Sequence, residues 1–201
     1  MSVARIDAAL RRVPPWAIYV AAALWAAWLF RLGLTGGLGA EPINALEREY
    51  GQAALYLLVA GLAVSPLRRL SGVSLLRHRR AIGVAAFGFV LAHLAVWALL
   101  DLQSLPRLWE DLTRRPYIAV GALAFLLLLP LAVTSNDLSV RRLGAAGWRR
   151  LHRLVYPAAV LVAVHYLWIG KVQETEAMLW GGAILLLLAL RIRRHAGTRA
   201  A

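Results

Sequence analysis

Cysteine is absent from the 201 residues of this chain. Disulfides, thiolate metal sites and cysteine nucleophiles are therefore excluded. Acidic residues are also few, ten against 23 lysines and arginines, and charged residues make up only 16% of the chain. Because soluble domains carry about 25% charged residues, this scarcity argues against a soluble protein.

Apolar residues, in contrast, are abundant and make up 61% of the chain. A helix that crosses the hydrocarbon core of a bilayer needs about 20 apolar residues, with about 17 as the lower end. The sequence predicts six spans, none of which contains Asp or Glu: 16–34, 53–67, 81–100, 117–133, 154–169 and 177–190. The last has fourteen residues, a length that also suits a buried or re-entrant segment.

The charges are divided unevenly between the segments outside the spans. Residues 1–15, 67–80, 134–153 and 191–201 hold seventeen basic and two acidic residues, whereas the rest of the chain holds six and eight. Lysine and arginine favour cytoplasmic loops. The sequence therefore predicts an all-α, polytopic membrane helix bundle with six transmembrane helices, both termini in the cytoplasm and a single membrane domain over 1–201. Membrane lipid is the expected partner of the arginines, so nucleic-acid binding is not needed to explain the basic charge.

Histidines inside the spans are the main candidates for chemistry, because ionisable residues there are costly and mark functional sites. His93 lies in the third predicted span and His165 in the fifth. Both spans run outward, so the two side chains are expected at matching depth toward the outer face. Two neutral imidazoles on two helices are what a six-coordinate heme iron needs as axial ligands. We therefore predict that His93 and His165 ligate heme iron, with simple packing as the alternative.

His152 is a third predicted heme ligand. It lies thirteen residues before His165, about 20 Å lower at 1.5 Å per residue, near the cytoplasmic face. Thirteen residues leave the two side chains about 140° apart on an ideal helix, and Pro157 between them can bend or rewind the chain. A structural role, or a place at a quinone or flavin site, are the alternatives for His152.

His78 lies in the arginine-rich segment before the third span. We expect it to join Arg77, Arg79 and Arg80 in a cluster that meets lipid headgroups. A pairing with His152 at the cytoplasmic level is the alternative.

Other membrane functions lack the residues they require. Ser65 and Ser74 lie at span ends, far from the histidines of an intramembrane protease, and a metal hydrolase or a proton-coupled transporter would want carboxylates within spans. We predict no catalytic residue in this chain.

Eight short motifs occur in order along residues 30–170: GGLGAEP (36–42), SPL (65–67), RHRR (77–80), LAHL (91–94), TRRPY (113–117), TS (134–135), WRRLHRLVY (148–156) and VHYLW (164–168). The ordered set resembles the MsrQ family, heme-binding membrane subunits of the bacterial periplasmic methionine-sulfoxide reductase system. That family belongs to the wider ferric-reductase-like transmembrane group.

The resemblance implies a multi-pass b-type cytochrome of the bacterial inner membrane, with one or two heme b groups and an associated FMN. It implies an electron-transfer subunit, not the catalytic one, which takes electrons from the quinone pool or a cytoplasmic-side flavin. The acceptor would be a periplasmic, molybdopterin-containing partner that reduces methionine sulfoxide in oxidised proteins. By position, the family's heme-linked histidines fall on His93, His152 and His165. A free-standing ferric or quinone reductase, and a non-heme transporter or assembly factor, remain as alternatives.

Overall fold

The computed structural model describes the backbone of residues 3–102, 104–169 and 174–197, and the side chains of these residues except those of 105, 174 and 192–197. Every regular element within these ranges is helical, which confirms the all-α fold class. The α-helices found there are α1 (Val3–Arg12), α2 (Trp16–Leu34), α3 (Pro42–Ser71), α4 (Arg79–Val96), α5 (Leu105–Arg114), α6 (Pro116–Val133), α7 (Asp137–Leu151), α8 (Val155–Ile169) and α9 (Glu174–Gly197).

Several helix ends follow directly from the local sequence. Pro42 and Pro116 begin α3 and α6, where the missing N–H of proline has no helical partner to lose. Gly72 ends α3 with a φ of 79°, a left-handed conformation that glycine adopts without strain. The side chain of Asn136 caps α7 by accepting a hydrogen bond from the Ser139 N–H.

Short 3₁₀ turns precede two of the long helices. Leu76–His78 leads into α4, and His152–Leu154 leads into α8. Pro157 is the third residue of α8, so it cannot donate to the carbonyl of Arg153 four positions earlier. The change in helical winding expected near Pro157 is therefore found before the proline in the chain, as the 3₁₀ turn His152–Leu154. It is not a bend in the middle of the span.

Five helical stretches in the described residues are long and apolar enough to cross a membrane, and each contains one predicted span. They are Trp16–Leu34, Pro42–Ser71, Leu76–Leu102, Pro116–Val133 and Asp137–Ile169. The sixth predicted span, 177–190, lies within α9, which is not one of these five, so it stays a prediction.

Large apolar side chains are widely exposed on these helices. Leu24 on α2 is 66% exposed, Leu126 on α6 is 58% exposed and Leu186 on α9 is 61% exposed. Water would penalise such surfaces, whereas lipid tails would cover them. The distribution therefore supports a multi-pass membrane protein.

The chain divides into two compact units, the first ending at Asp111 and the second beginning at Leu112. In the first unit, α3 packs along α4, and α2 packs against both. Trp25 meets Phe89 edge-on at 5.0 Å, and the Tyr50 hydroxyl donates to the Ala26 carbonyl at 2.9 Å. The single domain predicted over the whole chain stays a prediction.

In the second unit, α6 packs against α8, and α8 packs against α9. The contact surfaces are rich in small residues, with Ala158 and Ala159 fully buried on α8 and Ala124 buried on α6. Small side chains let helix backbones approach closely, which is a common basis of helix association in membranes.

Candidate functional site

His93 lies near the C-terminal end of α4, where it contacts α3. Its Nδ1 is 2.8 Å from the backbone carbonyl oxygen of Glu47, 46 residues earlier in the chain. A carbonyl oxygen only accepts hydrogen bonds, so Nδ1 carries the proton of the neutral ring. The lone pair of His93 is therefore on Nε2.

His165 has the same arrangement in the second unit. It lies near the C-terminal end of α8, and its Nδ1 is 2.6 Å from the backbone carbonyl oxygen of Tyr117 on α6. The lone pair of His165 is again on Nε2, because the carbonyl of Tyr117 can only accept.

As neutral rings, these two histidines thus have the tautomer that metal ligation through Nε2 requires. A ligating histidine usually donates its second ring N–H to a carbonyl or carboxylate, which fixes the tautomer and the ring orientation. No group of three or more His, Asp or Glu suited to a metal ion is found in the part of the chain that the structure describes. Heme would need only one or two histidine ligands from the protein, because the porphyrin itself would supply the other bonds to iron. The donor set fits heme.

His152 is placed differently from these two. Its ring stacks on Trp148, with ring centroids 3.7 Å apart and planes inclined by 24°. Its Nε2 is 3.1 Å from the Thr134 hydroxyl oxygen, and that hydroxyl donates its own hydrogen to the Pro130 carbonyl at 2.6 Å. Nε2 of His152 is therefore the donor, and the lone pair is on Nδ1. A role for His152 in heme binding stays a prediction.

His78 is buried and does not lie in a headgroup cluster, so that expectation was wrong. Only 2% of its surface is exposed, and its Nε2 donates to the Val13 carbonyl at 2.9 Å, while its Nδ1 is buried without a hydrogen-bond partner. The adjacent arginines, in contrast, are exposed. The reason for the burial is the N-terminal segment, which is also tied down by the Asp7 carboxylate accepting from the Ser74 N–H at 2.9 Å.

The groups that hold these histidines leave little signal in the sequence. The partners of His93 and His165 are backbone carbonyls, which leave no side-chain signal. Trp148 and Thr134 did leave a weak signal, because Trp148 precedes His152 by about one helical turn and both residues occur in the motifs quoted above.

A family described as "Ferric reductase like transmembrane component" matches residues 50–163, which is more than half of the chain. The protein therefore belongs to this class of membrane proteins, and the matched range contains His93 and His152 and ends just before His165.

Relatives that carry the name "Protein-methionine-sulfoxide reductase heme-binding subunit MsrQ" are similar over most of their length. The protein of Brucella ovis is 41% identical over 180 residues, which cover 89% of this chain and 81% of the relative. That of Brucella anthropi is 39% identical over 186 residues, covering 92% and 84%, and that of Brucella canis is 41% identical over 180 residues, covering 89% and 81%. The chain belongs to the MsrQ family.

Proposed function

We propose that this protein is a heme-binding electron-transfer subunit, a b-type cytochrome of the bacterial inner membrane. It takes electrons from the quinone pool or a cytoplasmic-side flavin. It passes them to a periplasmic, molybdopterin-containing reductase that repairs methionine sulfoxide in oxidised proteins. Heme and a reductase partner are supported by the names of the relatives. The structural observation that carries the proposal is the shared state of His93 and His165, each with Nδ1–H on a backbone carbonyl and the lone pair on Nε2.

His93 and His165 would each hold heme b iron through Nε2. The carbonyls of Glu47 and Tyr117 keep the proton on Nδ1 and restrain each ring against rotation. A hydrogen bond at Nδ1 also makes Nε2 more electron-donating, which favours the oxidised iron. Bound heme supplies one-electron transfer, which needs no proton from either ring.

His152 is the third proposed cofactor-binding residue, through a second heme or at a quinone or flavin site on the donor side. Its stacking on Trp148 and its donation to Thr134 hold the ring in one orientation. Both roles would replace the hydrogen bond to Thr134, but ligation through Nε2 would also require its proton to leave, whereas donation to a quinone or flavin oxygen would keep the proton on Nε2. FMN enters the proposal by family resemblance, without an assigned residue.

The proposed topology has six spans with both termini in the cytoplasm, in one membrane domain. It is supported by the excess of arginine in residues 1–15, 67–80 and 134–153. Alkaline phosphatase fused after residue 201 should be inactive, whereas fluorescent protein fused there should be bright. The reverse result would show that the C-terminus is periplasmic and that 177–190 does not span.

The absorbance spectrum of the purified full-length protein tests the proposed function. After expression with ample heme precursor, we expect a low-spin Soret band that is lost in His93→Ala and in His165→Ala. His195→Ala serves as the control, since it removes a histidine of the C-terminal basic segment. Colourless wild-type protein would overturn the proposal and favour a non-heme transporter or assembly factor.

The heme-to-protein ratio in the same sample addresses His152. One heme per chain would assign His152 to the donor site or to packing, and two would require it, or His78, as a ligand. A free-standing ferric or quinone reductase is the second candidate function, favoured by the ferric-reductase class itself. Turnover without a periplasmic partner would support that candidate.

A further inference from the structure

Two glycines lie directly against the proposed heme ligands. A β-carbon built on Gly51 would be 3.2 Å from Nδ1 and 3.4 Å from Cε1 of His93. A β-carbon built on Gly121 would be 2.8 Å from both Nδ1 and Cε1 of His165. Favourable contacts between non-bonded heavy atoms lie at about 3.5–4.0 Å. Each imidazole therefore occupies space that any other residue at these positions would fill.

The same spacing occurs in both units. Gly51 follows the acceptor carbonyl of Glu47 by four residues on α3, and Gly121 follows that of Tyr117 by four residues on α6. In an α-helix the Cα–Cβ bond tilts toward the N-terminus, so the side chain of a residue covers the turn that begins four positions earlier. A histidine ring from a neighbouring helix that hydrogen-bonds to a helix carbonyl must therefore lie over the residue four positions after that carbonyl.

Backbone conformation does not explain the two glycines. Both lie inside helices, and neither has a positive φ. At such positions glycine is a poorer helix former than alanine. Gly88 on α4 and Gly182 on α9 have open space where a β-carbon would lie, so close contact is not shared by all helical glycines of this chain.

We infer that Gly51 and Gly121 are positioning residues for the two heme ligands, with Gly51 setting His93 against α3 and Gly121 setting His165 against α6. The missing side chains let each ring approach until Nδ1–H reaches the carbonyl, and the approach sets the direction of Nε2. The inference rests on the proposed function, because it assigns a purpose to ring positions that matter only if Nε2 binds iron.

The two sites differ in how much a methyl group would disturb them. At Gly51 the ring must give way by a few tenths of an ångström, and the 2.8 Å bond to Glu47 can lengthen without breaking. At Gly121 the methyl would collide with two ring atoms, and the 2.6 Å bond to Tyr117 cannot survive in the same geometry. Gly121 is therefore the stricter of the two.

The test compares Gly51→Ala and Gly121→Ala with Gly88→Ala and Gly182→Ala in the purified full-length protein. Gly121→Ala should lower heme affinity at least tenfold, the loss expected when an outer partner of a metal ligand is removed. Gly51→Ala should keep its heme but change the electron paramagnetic resonance g values and the midpoint potential, since both report ligand orientation and Nδ1 hydrogen bonding. The two controls should match the wild type in all three measurements.

A double-mutant cycle on the heme-free protein separates ring positioning from general packing. Gly121→Ala should lower the thermal unfolding temperature when His165 is present. It should be neutral or stabilising in a His165→Ala background, where the methyl meets no ring. Gly51→Ala with His93→Ala gives the second cycle and serves if Gly121→Ala does not accumulate.

The outcomes distinguish this inference from the function on which it rests. Wild-type protein without heme would overturn the proposed function and this inference together. Wild-type protein with heme, but with wild-type g values, potential and heme content in both glycine variants, would overturn the inference alone. Equal destabilisation with and without the histidine would also overturn it, since the glycine would then serve the helix and not the ring.

Discussion

The two histidines near helix ends differ from the two in the 3₁₀ turns in the ring nitrogen that donates a hydrogen bond. His93 and His165 lie near the ends of α4 and α8 and donate from Nδ1 to backbone carbonyls of α3 and α6, respectively. His78 and His152 lie in the turns that precede those helices and donate from Nε2. Heme ligation normally uses Nε2, because Nδ1 is crowded by the adjacent β-carbon. Being a histidine is therefore not enough to make a residue a candidate iron ligand. The hydrogen-bond partner of one ring nitrogen decides whether the other nitrogen has a lone pair for the metal.

The largest effect should come from removing a helix-end ring. We expect His165→Ala to eliminate the low-spin heme signal, while His78→Ala retains it, because His165 has its lone pair on Nε2 whereas His78 donates from Nε2. Electron paramagnetic resonance of both variants at equal protein concentration measures the difference. Loss of heme from a stably folded His78→Ala protein would break the distinction between the two kinds of histidine.

A smaller effect is expected on stability when His78 is removed. His78→Ala should lower the free energy of unfolding by about 2–3 kcal/mol, because it leaves a cavity and an unpaired Val13 carbonyl. Leu76→Ala in the same turn is the control, since Leu76 is 40% exposed and its loss should cost less. Chemical unfolding in detergent provides the measurement, and equal costs for the two variants would contradict the buried role of His78.

The bond between His152 and Thr134 should contribute about 1 kcal/mol, the usual net value for such a hydrogen bond. Thr134→Val should lose this stability, and the proton of the His152 ring should no longer be held on Nε2. Nitrogen chemical shifts of the ¹⁵N-labelled ring would report this change. Thr134→Ser keeps the hydroxyl and should behave as the wild type. If the serine variant behaves as the valine variant, then packing of the methyl group, and not the hydrogen bond, orients His152.

The smallest effect should follow from loosening the N-terminal segment that covers His78. Asp7→Ala removes the carboxylate that accepts from the Ser74 N–H, and we expect a loss of about 0.5–1 kcal/mol. Asp7→Asn retains a side-chain oxygen in the same place and should be close to the wild type. The rate of proteolysis within α1 measures the change, and an unchanged rate in Asp7→Ala would show that other contacts hold the segment.

Much of the fold was predictable because its signals are local. Runs of apolar residues predicted five helices that are long and apolar enough to cross a membrane. The sixth predicted span, 177–190, lies in α9, part of which is outside the residues whose side chains the structure describes, so it stays a prediction. Pro157 was recognised as a cause of rewinding, but its place in the first turn of α8 depends on where the helix begins.

The candidate site was predictable only in part. His93 and His165 stood out because a span contains so few ionisable residues. The expectation for His78 failed because burial under the N-terminal segment depends on contacts from residues 65 positions away. Gly51 and Gly121 were missed because a glycine in an apolar helix has several common explanations, and only the nearby imidazole selects one.

The sequence by itself determined the class of protein, five helices long and apolar enough to cross a membrane, and which histidines are candidates for heme binding, since hydropathy, charge and residue chemistry belong to each segment alone. For the histidines whose side chains the structure describes, the tertiary structure decided which ring nitrogen carries the proton. A tautomer depends on the atom that faces the ring, and for His93 and His165 that atom is a carbonyl 46 and 48 residues away on another helix. Each of these hydrogen bonds forms only because the fold brings two helices close enough for the atoms to lie less than 3 Å apart. The number of residues between two positions in the sequence does not show whether this happens.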